Sequence, residues 1–193
     1  MNKKEQILHA ALEVFARQGL EKGKIADIAK EAGIGKGTIY EYYKSKEEIF
    51  HAIEDMFISD TILQLQTIVQ SDKKPTIKIE EICQISLDLH HHLGDSILII
   101  AELWAQHSRG VVHGHDSTIF ADMYKDYYKI IEDVLKEGIA KKEFREMSIN
   151  GVATLLLAMI DGVIWQSVIF KNDKIFESNK KEAIKAFMNG IKK

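Results

Sequence analysis

Side chains that could bind phosphate groups or base edges are concentrated in residues 35–46, which read GKGTIYEYYKSK. Lysine ammonium groups and the hydroxyl groups of threonine and tyrosine donate hydrogen bonds to phosphate oxygens, and threonine also reaches base edges. Gly35 and Gly37 leave room for a close approach of a nucleic-acid backbone, and a helix that starts there presents N–H groups to phosphate. The pattern therefore favours nucleic-acid contact, although a solvated helix face can carry the same residue types.

The elements that would position these side chains are helices, because apolar residues recur at helical spacing almost everywhere. The chain has one proline, Pro75, and little alternation of period two. We therefore predict an all-α fold of about nine helices. The first predicted helix ends at about residue 18. The other predicted helices span about 25–32, 36–43, 46–70, 76–92, 95–107, 117–142, 148–171 and 174–191.

Capping residues mark several of these helix ends. Asn2 with Glu5, and Ser45 with Glu48, have the spacing of capping boxes. A glycine ends the first helix at about residue 19, and Gly33 offers the left-handed conformation that ends the second helix. Three short helices thus precede a long one, and the turn at residues 32–35 separates the second helix from the third.

This arrangement predicts a helix-turn-helix whose third helix lies in the major groove of DNA. The stretches IADIAKEAGI and GTIYEYYKSKEEIF strongly resemble the DNA-binding domain of the tetracycline-repressor (TetR) family. The resemblance implies a DNA-binding domain in residues 1–46 and an effector-binding and dimerisation domain in residues 47–193. It also implies a transcriptional repressor that a small-molecule effector releases from a palindromic operator in double-stranded DNA.

Position by position, the resemblance gives roles to residues of the first domain. Lys36, Gly37 and Thr38 would meet base edges or adjacent phosphates, and Lys46 would pair with a phosphate at the start of the fourth helix. Ile39 falls at an inward position and belongs to the core, as does Tyr43. The full set of predicted DNA-binding residues is Lys24, Gly35, Lys36, Gly37, Thr38, Tyr40, Tyr42, Lys44 and Lys46.

The sequence departs from the family pattern at two helix starts. Family members commonly have Thr or Ser where Gly23 and Lys24 stand, and often Ser where Gly35 stands. We therefore expect the second and third helices to lack the usual hydroxyl caps.

The segment 151–170 is apolar on almost all sides, so it must be covered on more than one face. Lipid, the protein's own core, or a core on one face with a second subunit on the other would each suffice. Asp161 lies in the middle, and an aspartate at mid-bilayer costs roughly 3 kcal/mol on the insertion scale, which disfavours a membrane span. The resemblance implies a homodimer through residues 148–191.

The resemblance also implies an effector pocket in the helical body. Aromatic side chains with a few polar groups can line such a cavity, which favours a lipophilic or aromatic effector. Asp161 needs a partner inside this apolar run, and ligand, a nearby donor or the other subunit would each serve. The candidate effector-binding residues are Trp104, His107, Phe120, Tyr124, Met159, Asp161 and Trp165.

Composition limits the other classes of function. The net charge is -3, with +1 in residues 1–50 and -4 in the remainder, so any nucleic-acid surface must be local. Cys83 has no partner for an internal disulfide and the start of the chain lacks a secretory signal, which predicts a cytoplasmic protein. No nucleophile elbow, phosphate loop or HExxH pattern is present, so we expect neither an enzyme nor a cofactor.

The histidines allow one alternative, a metal-responsive regulator. They include the triplet at residues 90–92 and further histidines at positions 107, 113 and 115. Adjacent helical residues point about 100° apart, so the triplet cannot ligate a single ion, and no zinc-type spacing is present. We therefore assign no metal site, and we note Asp88 and His92 as one pair on a common helix face.

Overall fold

A computed structural model describes residues 2–93, 98, 99, 101, 105, 119–170 and 173–193. The described part of the chain contains eight helices, and the predicted all-α class is confirmed. The predicted helix at 95–107 lies mostly outside the described residues, although positions 98, 99, 101 and 105 are helical. The helices are α1 (Lys3–Lys22), α2 (Ile25–Glu31), α3 (Lys36–Tyr42), α4 (Lys46–Gln70), α5 (Pro75–Leu93), α6 (Ile119–Ala140), α7 (Ile149–Phe170) and α8 (Asp173–Ile191).

The described chain divides into two compact units. The first includes residues 2–60, and therefore α1 to α3 and the first part of α4. The second includes residues 61–92 and 121–193, and therefore the end of α4, most of α5 and the helices from α6 onward. The domain boundary at residue 46 that the resemblance implies stays a prediction.

Helix α1 begins at the predicted capping box and is interrupted where the sequence indicated. The Asn2 side chain accepts a hydrogen bond from the Glu5 N–H, and the Glu5 carboxylate accepts one from the Asn2 N–H, both at 2.9 Å. Gly19 has φ 75° and ψ 160°, outside the helical region, a conformation that glycine adopts without steric cost. The helix resumes after Gly19 for one more turn and ends at Lys22.

The turn between α2 and α3 has the geometry that the sequence predicts. Gly33 has φ 65°, and its N–H donates to the Lys30 carbonyl at 3.2 Å while the Ile34 N–H donates to the Ala29 carbonyl at 3.0 Å. These two bonds form a Schellman motif, which satisfies carbonyl groups at the end of α2. The Gln6 side chain also donates to the Ala32 carbonyl at 2.7 Å, so α1 supports the same turn.

The core of the first unit joins its four helices. Ile7, Ile28, Ile39 and Ile49 have no exposed area, and each comes from a different helix among α1 to α4. The buried Phe15 ring of α1 packs edge-on against an aromatic ring of α4, and the two ring centroids are 6.4 Å apart. This packing fixes α3 through its inner face and leaves the opposite face exposed.

In the second unit, polar contacts connect α4, α5 and α6. Lys78 is 4% exposed, and its ammonium group donates to the Val69 carbonyl at 2.7 Å and to the Glu137 carboxylate at 3.0 Å. A buried lysine needs such partners because an unpaired charge is costly away from water. The bond to Val69 satisfies a carbonyl in the last turn of α4.

Helix α7 has one buried face and one exposed apolar face. Ala153, Leu156, Leu157 and Ile160 are buried. Leu155, Ile169 and Phe170 are 61–69% exposed, although they are large apolar residues. Residues 149–166 are long and apolar enough to cross a membrane by length and composition, but such a helix is weak evidence for a membrane protein.

Candidate nucleic-acid interface

The exposed face of α3 carries several of the predicted DNA-binding residues. Lys36 and Gly37 are exposed, and Tyr40 is 47% exposed. The Lys36 ammonium group lies 5.7 Å from the centre of the Tyr40 ring, within the range of a cation–π contact. A Cβ atom at Gly37 would meet nothing within 4 Å, so the backbone of α3 is open to a close approach there.

The starts of α2 and α3 lack side-chain caps, as the sequence predicts. Lys24 and Gly35 occupy the N-cap positions, and neither has a side-chain capping bond. Backbone bonds define the first turns instead, since the Thr38 N–H donates to the Gly35 carbonyl and the Asp27 N–H donates to the Lys24 carbonyl. Without a capping side chain, the N–H groups in the first turn of each helix receive no hydrogen bond partner from the side chain at the N-cap position.

A surface cleft of about 720 Å³ joins the end of α1, the start of α2, α3 and the start of α4. Four lysines line this cleft, against two carboxylates from Glu21 and Asp27. We call this feature the basic cleft. It brings together four predicted residues and adds one that the sequence analysis did not include, Lys22. The lysines and the aromatic residue that line it are Lys22, Lys24, Lys36, Lys46 and Tyr40.

Lys46 has partners inside the protein. Its ammonium group donates to the Leu20 carbonyl at 2.9 Å and to the Glu21 carbonyl at 3.0 Å, and the side chain is half-buried. Those carbonyls belong to the turn of α1 that follows Gly19. The predicted pairing of Lys46 with a phosphate stays a prediction.

The remaining predicted residues lie on or just after α3. Thr38 and Tyr42 are half-buried, whereas Lys44 is exposed. Ile39 has no exposed area and Tyr43 is 5% exposed, which confirms the core assignment of both. Burial, followed by the nearby Glu48 carboxylate, raises the pKa of Tyr43 above its usual value.

The start of α4 differs from the predicted capping box in one bond. The Ser45 hydroxyl accepts a hydrogen bond from the Glu48 N–H at 3.2 Å, as expected. The Glu48 carboxylate accepts one from the Lys44 N–H at 2.6 Å, whereas a capping box would use the N–H of Ser45. The Glu48 side chain therefore binds the backbone at Lys44, one residue before the position that a capping box would use.

Among the effector candidates, Tyr124 and Asp161 form a polar pair between α6 and α7. The Tyr124 hydroxyl donates to the Asp161 carboxylate at 2.9 Å, so a nearby donor supplies the partner that this aspartate needs. Burial raises the pKa of Asp161, and the bond from Tyr124 partly opposes that rise. Burial and the neighbouring carboxylate together raise the pKa of Tyr124 far above its usual value.

The other effector candidates divide into two groups. Met159 and Trp165 are half-buried on α7. Trp104 and His107 lie outside the described residues, as does the side chain of Phe120. Their predicted roles stay predictions.

The histidines behind the metal alternative also lie outside the described side chains. Of the suggested pair, Asp88 forms an ion pair with Lys180 of α8. The described residues contain no group of three histidine, cysteine, aspartate or glutamate side chains that could hold a metal ion.

Comparisons with known proteins agree with the all-helical fold. A family model described as "Bacterial regulatory proteins, tetR family" matches residues 7–53, and one described as "Tetracyclin repressor-like, C-terminal domain" matches residues 96–176. An HTH-type transcriptional regulator of Bacillus subtilis, YvdT, is 26% identical over 93% of this chain and 90% of its own length. The Bacillus subtilis fatty acid metabolism regulator protein is 27% identical over 96% and 94%.

A solved structure has the same fold. The transcriptional regulator FadR from Bacillus subtilis, crystallised with stearoyl-CoA, superposes with a TM-score of 0.78 at 22% identity and covers 98% of this chain and 100% of its own.

A helix-turn-helix followed by a helical body defines a class of DNA-binding transcriptional regulators. Within that class, the two matched models place the chain in one family. The chain belongs to the tetracycline-repressor (TetR) family.

Proposed function

We propose that this chain is a homodimeric repressor that binds a palindromic operator through α3 and leaves it when an effector binds the helical body. The observation that carries the proposal is the exposed face of α3, which presents Lys36, Gly37 and Tyr40 and contributes Lys36 and Tyr40 to the basic cleft. Phosphate contacts position a protein on the duplex, and base-edge contacts read the sequence. We assign phosphate contact to Lys24, Lys36, Tyr40, Tyr42 and Lys44.

Thr38 is the residue proposed to read sequence. It lies in the first turn of α3, and its N–H is already bonded to the Gly35 carbonyl, so its hydroxyl and methyl groups are the parts that can meet a base edge. Threonine contacts hydrogen-bonding groups and the thymine methyl group. Gly35 and Gly37 flank the start of the helix, where the backbone must come close to DNA.

The exposed face of α7 supports dimerisation through residues 148–191. Leu155 and Ile169 project on one side of the helix, because fourteen residues are close to four turns. Both are more than half exposed, and exposed apolar patches of this kind mark protein interfaces. A two-fold dimer would present two copies of α3, which is why a near-palindromic operator is expected.

The proposed effector is lipophilic, with at least one polar group. Met159 and Trp165 supply apolar surface, and the Tyr124–Asp161 pair supplies a hydroxyl and a carboxyl group within the same helical unit. The stearoyl-CoA bound to the similar Bacillus subtilis regulator makes long-chain acyl compounds the first to test. Release from DNA then requires that the effector bind the DNA-incompetent state more tightly.

A direct test measures operator binding by fluorescence anisotropy while an acyl-CoA series of increasing chain length is added. We expect one range of chain lengths to weaken DNA binding, with free coenzyme A as the matched control. Substitution of Tyr124 by Phe should alter the effector concentration required and leave operator affinity without effector unchanged. An acyl-CoA series without effect would remove this effector class, and retained small molecules identified by native mass spectrometry would then name another.

We also propose that the protein works in the cytoplasm, where its operator would lie. The relatives described above are DNA-binding regulators, and this family consists of transcriptional regulators rather than enzymes. Fractionation of cells should recover the protein without detergent, and recovery only in the membrane fraction would contradict the proposed dimer face of α7.

A further inference from the structure

Lys22 lines the basic cleft, although the sequence motif gives it no role. Its side chain is exposed, as is that of Lys24. Among the described residues, no carboxylate forms an ion pair with either lysine. The nearby Arg17 of α1, in contrast, pairs with Glu31. The charge of Lys22 is therefore available to an anion from outside the protein.

The backbone fixes the position from which Lys22 extends. Gly19, with φ 75°, interrupts α1, and the turn that ends at Lys22 follows. The Gly23 N–H closes this turn on the Gly19 carbonyl at 3.1 Å. A Cβ atom at Gly23 would lie 2.6 Å from the ring of Phe15, a core residue that is 1% exposed. The turn is thus packed directly on the core, at a distance that only glycine permits.

Helix α4 holds the same turn. The Lys46 ammonium group donates to the carbonyls of Leu20 and Glu21 at 2.9 and 3.0 Å. Lys22 therefore extends from a backbone that is attached both to the core and to the start of α4. A contact made from a fixed backbone loses less conformational freedom than one made from a mobile loop.

Lys22 and Lys24 lie close together in the basic cleft. Only Gly23 separates them, so their Cα atoms are at most about 7 Å apart. The carboxylates of Glu21 and Asp27 line the same cleft, but four lysines outnumber these two carboxylates. Neighbouring cations without ion pairs repel each other, and a polyanion removes that repulsion. The arrangement fits the phosphate backbone of DNA.

We propose that the Lys22 ammonium group binds a phosphate of the operator, in addition to the phosphate that Lys24 binds. The inference rests on the proposed operator binding and adds a contact that neither the sequence motif nor the family resemblance assigns. A phosphate contact carries no base information. Lys22 therefore strengthens binding to every duplex and leaves the choice of sequence to Thr38.

The test uses the salt dependence of DNA binding. Wild-type protein and single and double variants are titrated against a duplex that the wild-type protein selects from random sequences, at several KCl concentrations. The variants are Lys22→Gln, Lys24→Gln, the double variant and Lys22→Arg. Lys30→Gln is the matched control, because it removes the same charge from an exposed lysine of α2 that does not line the cleft.

For Lys22→Gln we expect the slope of log K against log salt to fall by about 0.9, the value for one phosphate contact. With binding at 1 M salt unchanged, the same slope gives a Kd increase of about eightfold at 0.1 M. The double variant should lose about 1.8 in slope, whereas Lys22→Arg, which keeps the charge, and Lys30→Gln should keep the wild-type slope. An unchanged slope in Lys22→Gln would overturn the proposal. So would an equal loss in Lys30→Gln, or a double variant with the slope of Lys24→Gln.

Two further measurements separate this contact from other effects. Lys22→Gln should keep the wild-type melting temperature, because the side chain is exposed, and should select the wild-type site from the random library. Selection of a different site would overturn the phosphate assignment. A wild-type protein that selects no duplex would defeat the operator proposal and this contact with it. A wild-type protein that selects a duplex, with the slope unchanged in Lys22→Gln, would defeat this contact alone.

Discussion

Leu155→Asn should weaken the proposed dimer, because it removes apolar area from the exposed face of α7. Leu155 is 61% exposed in the single chain. Burying a whole leucine side chain is worth about 1.5–3 kcal/mol, so the exposed part contributes about 1–2 kcal/mol. A two-fold interface contains the residue twice, which gives about 2–4 kcal/mol for the dimer. The dissociation constant of the dimer should therefore rise about 30- to 800-fold.

Leu63→Asn is the matched control. Leu63 is 63% exposed and also lies inside a long helix, α4, but outside residues 148–191. Sedimentation velocity over a range of protein concentrations should show Leu155→Asn dissociating towards the 22.0 kDa monomer at concentrations where the wild type and Leu63→Asn remain dimeric. Equal dissociation constants for the two variants would refute the proposed interface.

Three further predictions concern single side chains. Lys36→Gln should weaken binding to all duplexes and lower the salt slope by about 0.9, measured by anisotropy at several salt concentrations; an unchanged slope would remove the phosphate assignment. Thr38→Ala should change which sequences are selected from a random library, whereas Lys36→Gln should not, and identical preferences would remove the reading role. Asp161→Asn should raise the melting temperature at pH 7, because burial raises the pKa of this carboxyl. Its protonated form stabilises the fold below the unfolded-state pKa, and that contribution is lost as pH rises through the folded-state pKa. The rise in melting temperature should therefore vanish in acid. An equal rise at every pH, or the same rise in the control variant Asp60→Asn, would contradict this prediction.

Local signals in the sequence predicted much of the first unit. The Asn2–Glu5 capping box, the left-handed Gly33 and the uncapped starts of α2 and α3 depend on residues within a few positions of each other. Such features follow from side-chain and backbone chemistry that is visible in the sequence. The inward positions of Ile39 and Tyr43 follow from their register in the family motif.

Contacts between distant segments could not be predicted in the same way. Lys46 lies 25 residues from Glu21, and only the packing of α4 beside α1 brings its ammonium group to that carbonyl. Tyr124 is 37 residues from Asp161, so the sequence showed that the aspartate needs a partner but not which group supplies it. Lys22 joined the basic cleft because the short turn after Gly19 places it there.

The central claim is that α3 reads DNA, twice in each dimer. The measurement that tests it most directly is selection of duplexes by the purified protein from a random-sequence library, followed by sequencing. We predict enrichment of a near-palindromic site whose two halves are about one helical turn apart or a multiple of it. Failure to enrich any sequence, with bound small molecules removed beforehand, would contradict the account.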